Sequence, residues 1–231
     1  MVFDWQYFFE LFGQILPYFP VTFFIALLAM ILAILIGGII AGFELSHNRI
    51  LRYFGKFYVS LFRGMPTLVQ LFLIFYGLPQ IFPVFKGMPA LVATIVGLGF
   101  KEAAYLAEIF RAGLQSVDQG QIEAGDALNI KRSKLFFKVI LPQAFLNALP
   151  ATGNTFVSLL KETSLAFTLG VTELFGEAKL LAGSSFKYFE TYLVVGLIYW
   201  FAIIIYTYLQ GIFEKHLSKP YRRINHVINQ D

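Results

Sequence analysis

Four ionisable residues stand where a membrane would make them costly. Lys101 and Glu102 interrupt an apolar run that begins at Gly87 and resumes at Ala103–Ala107, and Lys161-Glu162-Thr163 interrupts the apolar stretch Val139–Val171. A charge at the centre of a spanning helix costs about 2.5–3.5 kcal/mol on insertion scales, so such groups face a bundle interior, a partner charge or a water-filled cavity. Two roles fit: structural pairing, for instance Lys101 with an acid from the later span, or contact with the charged ends of a bound amino acid. Lys101 and Glu102 are adjacent on a helix, about 100° apart, and are expected to face different ways. Asn154, Thr155 and Ser158 lie one or two turns before the second interruption. A helix broken at membrane depth frees backbone groups that must line a cavity or meet protein. Lys101, Glu102, Asn154, Ser158, Lys161, Glu162 and Thr163 are therefore the candidate substrate pathway. Ordinary hydrogen bonding between helices is the alternative for each polar residue singly.

The longest polar run, Gln115–Lys138, has helical composition and separates two apolar segments. Ile122, Ala127 and Leu128 offer a small apolar surface beside Glu123 and Asp126. Asn129 suits the left-handed position that ends a helix. Lys131-Arg132-Ser133-Lys134 begins a second helix, which Pro142 enters or bends. The pattern predicts a compact knob of two short helices. The residues alone fit a docking element or a solvated connector.

The elements that must position these groups are spans. Hydrophobic residues make up 58% of the 231 and charged residues 14%, against about 25% charged in a soluble domain. So much apolar surface cannot be hidden inside one domain of this size, which excludes a soluble enzyme, a disordered chain and a coiled coil. With no cysteine, disulfides, thiol catalysis and thiolate metal sites are excluded. A bilayer core of about 30 Å needs about 20 apolar helical residues. Windows of that kind predict an all-α polytopic membrane protein with five transmembrane helices, at about 15–43, 62–84, 89–112, 139–160 with a break at 161–164, and 191–213, in one domain covering 1–231. The loop 115–138 is the one sizeable insert.

Lysine and arginine in the connections set the orientation. Arg49, Arg52, Lys56, Arg111, Lys131, Arg132, Lys134, Lys138, Lys215, Lys219, Arg222 and Arg223 fall on one side; Lys86, Lys179 and Lys187 fall on the other. The first side is expected to be cytoplasmic, with the N-terminus outside and the C-terminus inside. Trp5, Tyr7 and Tyr18 fit an outer aromatic belt, and the absence of a basic leader argues against a cleaved signal peptide. Asn48–Phe62 reads as a basic amphipathic helix at the cytoplasmic surface. Glu108 and Arg111 form a helix-face pair, Arg63 snorkels or anchors the scaffold at the interface, and His47, His216 and His226 are isolated, which leaves no metal site. Pro79, Pro83 and Pro89 mark an outer loop.

Glu123-Ala124-Gly125, Asn129 and Ile140-Leu141-Pro142 resemble the EAA loop of ABC importer permeases, with Gly125 in place of the second alanine and Asn129 in place of glycine. Arg63-Gly64-Met65-Pro66-Thr67-Leu68-Val69-Gln70 is similar to the Arg-Gly-Thr-Pro segment of the polar amino acid branch of those permeases. Ala104–Arg111, Gly120–Ala124 and Leu160–Leu165 resemble it as well. The resemblance runs from about Val21 to Arg223.

That resemblance implies a type I ABC importer transmembrane domain in a bacterial cytoplasmic membrane. It implies a second permease subunit (homodimer or heterodimer), a cytosolic ABC ATPase dimer holding ATP and Mg, and an extracytoplasmic amino acid binding protein. Gln121, Glu123, Ala124, Gly125, Asp126 and Asn129 would dock the ATPase. The substrate class is a polar amino acid, with L-cystine the first candidate. The chain carries no G-x-x-x-x-G-K run, so no cofactor is expected on it and the chain is not itself an enzyme. Nothing in it suggests nucleic acid. The alternative is a stand-alone secondary amino acid transporter or channel, which would leave the insert unexplained. A membrane-embedded enzyme would need a paired constellation such as H-E-x-x-H, and none is present.

Overall fold

The computed structural model describes residues 3–228, with side chains as far as Lys219; Arg222, Arg223 and His226 of the basic tail lie beyond the described side chains. Among the described residues all regular structure is helical. The elements are α1 (Trp5–Ile15), α2 (Phe19–Glu44), α3 (Arg49–Gly64), α4 (Thr67–Phe72), α5 (Leu78–Ile81), α6 (Ala90–Gln115), α7 (Gln119–Ala127), α8 (Arg132–Leu135), α9 (Leu141–Glu162), α10 (Leu174–Ser185) and α11 (Tyr188–Ile228). Their starts carry recognisable signals. Asp4 accepts from the Tyr7 amide, Asn48 from Ile50 and Glu173 from Gly176, each filling an otherwise orphaned first-turn donor. Two π-helical turns, Leu73–Gly77 and Phe136–Ile140, directly precede the starts of α5 and α9, where Pro79 and Pro142 stand. A proline cannot donate and clashes with the carbonyl four residues back, so the preceding turn widens.

Four helical segments are long and apolar enough to cross a membrane: Trp5–Glu44, Ala90–Gln115, Arg132–Leu169 and Tyr188–Lys219. The fifth is a bent pair, Arg49–Gly64 and Thr67–Ile81, meeting at 108°. Pro66 drives Met65 into extended geometry and ends α3. The Gln70 amide then staples the elbow, donating to the Phe62 and Met65 carbonyls, each at 2.8 Å. Thr67–Ile81 is about 22 Å long at 1.5 Å per residue, short of a full crossing. The amphipathic helix expected over Asn48–Phe62 is α3, and the apolar helix expected over 62–84 starts only after the elbow, at Thr67, and ends at Ile81. The interruption at 161–164 is also milder than a break. The α-helix ends at Glu162, tightens into a 3-10 helix over Thr163–Leu169 and stops at Gly170 with φ +90°.

The core is built on close helix approach through small side chains. Ala26, Ala29 and Ala33 of α2 and Ala103 and Ala107 of α6 are fully buried. A Cβ added at Gly37 would stand 3.0 Å from the Ala103 carbonyl, so α2 and α6 touch backbone to backbone. α6 and α9 meet the same way, since a Cβ on Gly113 would lie 2.8 Å from the Ala144 carbonyl oxygen. In lipid, where apolar burial gives no drive between helices, this packing is a main source of cohesion.

A second cluster joins α1, α10 and α11 through Leu11, Ile15, Leu174, Ala178 and Val194. Glu173 is fully buried there. It accepts from the Thr22 hydroxyl at 3.0 Å, the Gly176 amide at 2.8 Å and the Tyr199 hydroxyl at 3.2 Å, tying α2, α10 and α11 together.

At the outer edge of that cluster Lys187 donates to Asp4, and the Asp4 amide donates to Glu190 at 3.1 Å. The hydrogen bond from Lys187 holds the Asp4 carboxyl below its usual range, and the same bond raises the Lys187 ammonium. Asp4's contribution is present above its unfolded value and is lost as pH falls through the depressed one. Lys187's is present below its unfolded value and is lost as pH rises through the raised one. The Asp4–Lys187 pair is therefore expected to be undiminished between pH 3.8 and pH 10.5. Trp5 emission in a Trp200→Phe background should stay constant across that range and change outside it. A transition near neutral pH would contradict the pairing.

Candidate functional site

α6 and α9 cross beside a polar cavity of about 420 Å³. The Lys101 ammonium lines it, 2.6 Å from Glu102 Oε1 and 2.7 Å from Glu162 Oε1, and 4.7 Å from the centre of the Tyr105 ring. The expectation that Lys101 and Glu102 face different ways is therefore corrected. The lysine stem is long enough to fold its ammonium back over the neighbouring carboxylate while its methylenes stay packed. The cross-helix partner that the charge required is Glu162.

Glu102 is closed in, its side chain 3% exposed, while Glu162 is 27% exposed. Glu162 Oε2 accepts no hydrogen bond. Asn154 and Ser158 complete an open wall of the same cavity. Of the seven candidate pathway residues, Lys101, Glu102, Asn154, Ser158 and Glu162 thus converge. Lys161 and Thr163 do not line this cavity: Lys161 is exposed, and buried Thr163 donates to the Leu160 carbonyl at 2.8 Å. Thr155, which the sequence sets beside Asn154 and Ser158 before the second interruption, lines the cavity with them; Tyr105 lines it too, and the sequence reading did not give it this place. Tyr105 carried a signal, standing one helical turn after Lys101. It also lies 5.3 Å beneath the Arg63 guanidinium, which ties the α3 elbow to the cavity.

The six candidate docking residues sit on the knob that joins α6 to α9. Asn129 has φ 55°, the left-handed geometry its type suggested. The Asn129 amide donates to the Asp126 carbonyl and the Ile130 amide to the Gly125 carbonyl, each at 3.0 Å, a complete Schellman closure. Gly125 is buried, because Leu135 lies on it: a Cβ there would stand 2.7 Å from Leu135 Cδ1. Gln121 and Gln143 exchange amide bonds of 3.2 and 2.7 Å, binding α7 to the first turn of α9. Glu123, Ala124 and Asp126 are exposed. Asp126 reaches Arg132 only at 3.9 Å and on the surface, worth little. Leu128 is 75% exposed, an apolar tip with no intramolecular partner surface.

The helix ending is testable by itself. An alanine in the left-handed region costs about 1–2 kcal/mol, a penalty that asparagine offsets by local hydrogen bonding of its short side chain and that glycine does not meet; it is a factor of roughly 5–30 in a local equilibrium. Asn129→Ala should speed hydrogen exchange of the Ile130 amide by that factor, while Asn129→Gly should not. Equal exchange in the two variants would contradict the closure described.

Residues 33–219 match the family described as the binding-protein-dependent transport system inner membrane component. The chain belongs to that family. It is an ABC importer permease subunit. The probable amino-acid permease protein YxeN of Bacillus subtilis (strain 168) is 53% identical over 219 residues, covering 95% of this permease and 98% of that one. The L-cystine transport system permease protein TcyL of the same organism is 34% identical, covering 90% and 88%. A crystal structure of an amino acid ABC transporter with histidines superposes at a TM-score of 0.85 and 32% identity, covering 94% of the permease and all of that chain.

Proposed function

We propose that this permease forms the translocation pathway of an ATP-driven importer for a polar amino acid, L-cystine being the first candidate. The observation that carries the reading is connectivity: the two helices whose side chains build the charged cavity, α6 and α9, are the two that the exposed knob joins. A rigid displacement of the knob must therefore move both cavity walls. Alternating access needs such a two-state element, biased at one end by an ATPase and at the other by solute.

In this reading Gln121, Glu123, Ala124, Gly125, Asp126 and Asn129 form the face that a cytosolic ATPase dimer grips. ATP and Mg act on that partner; the chain contributes the lever. The basic connections Arg49–Lys56 and Lys131–Lys138, with Lys215 and Lys219, support a cytoplasmic knob in a bacterial cell. A second permease subunit covers the open wall at Asn154 and Ser158, and an extracytoplasmic binding protein delivers the solute. The cavity offers both signs of charge to a zwitterion. The part-exposed Glu162 carboxylate attracts the α-ammonium, Lys101 faces the α-carboxylate, and Asn154 and Ser158 supply neutral hydrogen bonds. Interactions with charged groups are strong in so apolar a setting, and they select for a charged or zwitterionic solute over an apolar one.

The test is uptake by proteoliposomes holding the permease, its ATPase and its binding protein. Accumulation of the polar amino acid should require internal ATP. It should survive collapse of the ion gradients. Uptake without ATP that collapses with an ion gradient would replace this reading with a secondary transporter.

A further inference from the structure

A second charged cavity lies on the same side of the bundle as the knob. It measures about 480 Å³ and opens between the end of α2, the surface helix α3 and the end of α6. Glu44, Arg52, Lys56, Glu108 and Arg111 bring their charges to it, and Gln115 stands at its rim where α6 hands over to the knob. The corner is tightly built: a Cβ on Gly55 would lie 2.9 Å from Glu44 Cγ, so α3 is seated directly on α2.

The charges are unevenly satisfied. Arg111 donates to Glu108 at 2.6 Å and stands 3.5 Å from Glu44 Oε2. Arg52 and Lys56, one turn apart on one face of α3, form no salt bridge among the described residues. Glu44 is the opposite case. Its side chain is 5% exposed, yet Oε2 accepts no hydrogen bond. The lining therefore carries one net positive charge and two free cations, with the Glu44 carboxylate closed in behind Arg111.

The setting narrows the ligand. The rest of α3 exposes Ile50, Tyr53, Phe54 and Phe57, so the helix lies with an apolar surface toward acyl chains and its basic residues at headgroup depth. Basic pockets between helices at this level suit lipid headgroups. We infer that this cavity binds the headgroup of an anionic phospholipid of the phosphatidylglycerol type. Its phosphodiester sits between Arg52 and Lys56. A single negative charge balances the lining. Phosphatidylcholine brings no net charge. The bound headgroup would brace α3 against the end of α6 immediately before the knob. The inference needs the membrane setting alone and does not depend on the transported solute.

Native mass spectrometry of the detergent-purified full chain, offered phosphatidylglycerol, phosphatidylethanolamine and phosphatidylcholine in turn, tests it without any transport readout. One phosphatidylglycerol should be retained per chain, at least tenfold in preference to phosphatidylcholine. Arg52→Gln with Lys56→Gln should reduce retention to the phosphatidylcholine level. Lys131→Gln with Arg132→Gln, which removes the same charge from the knob, should leave it unchanged. Equal retention of the three lipids by the unmodified chain overturns the inference without any variant. So does equal loss in both double variants, which would mark diffuse attraction, or a preference for phosphatidylethanolamine. Displacement by inorganic phosphate would reassign the cavity to a small anion.

Discussion

Replacing Lys101 with methionine should abolish uptake and strongly reduce the yield of folded permease. The Lys101 ammonium is the shared partner of two carboxylates, at 2.6 and 2.7 Å, one of them almost sealed from solvent. Breaking a buried pair by removing one member costs about 3–5 kcal/mol, because the remaining charge has lost its compensation. That is a large part of the roughly 5–15 kcal/mol by which a domain is stable. Here two carboxylates are left facing each other. Initial uptake rates should therefore fall at least 100-fold, and the melting midpoint of the purified complex should drop. A triple variant then separates structure from transport. Lys101→Met with Glu102→Gln and Glu162→Gln removes every charge and the repulsion with it. It should recover the melting midpoint while uptake stays lost, since no group remains to meet a zwitterion. Recovery of uptake would show the three charges to be a structural pairing alone.

Glu123→Arg should have the second largest effect, and on coupling only. Glu123 is exposed and makes no intramolecular hydrogen bond or salt bridge among the described residues, so its replacement should change stability by no more than about 0.5 kcal/mol. At an interface the same change sets a cation where a carboxylate was accommodated, a mismatch worth several kcal/mol. In proteoliposomes, the stimulation of ATP hydrolysis by the loaded binding protein should be lost at least tenfold, with the melting midpoint of the permease unchanged. Normal stimulation in an intact complex would remove Glu123 from the docking face.

Local signals in the chain reached a good part of this arrangement. The knob was legible because its determinants are near one another: Asn129 needs only its own backbone angle and the carbonyls of Gly125 and Asp126. The Glu108–Arg111 pair is a one-turn contact and stands at 2.6 Å. The cavity was legible because charge within an apolar run has few places to go. What escaped depends on distance along the chain or on side-chain reach. Nothing near Glu173 in the chain marks it, and the Thr22 hydroxyl that holds it comes from 151 residues earlier. Glu44 likewise sits at the end of an apolar helix and shows its burial only once α3 is folded onto it. Lys101 and Glu102 were set apart by counting backbone angle, which ignores four methylenes of freedom. The elbow was half legible: a surface helix followed by an apolar window implies a turn, and Pro66 and Gln70 fix where it falls, a few residues later than the window began.

The central claim is that residues 115–142 protrude as a lever held by a separate ATPase. Because the chain has no cysteine, Glu123→Cys creates its single thiol at the middle of the proposed contact. Labelling of that thiol by a polar maleimide should be at least tenfold slower in the permease–ATPase complex than in the permease alone, while a thiol introduced by Lys86→Cys, in the connection between α5 and α6, reacts equally in both. Equal labelling of the Glu123→Cys variant with and without the ATPase would contradict the account.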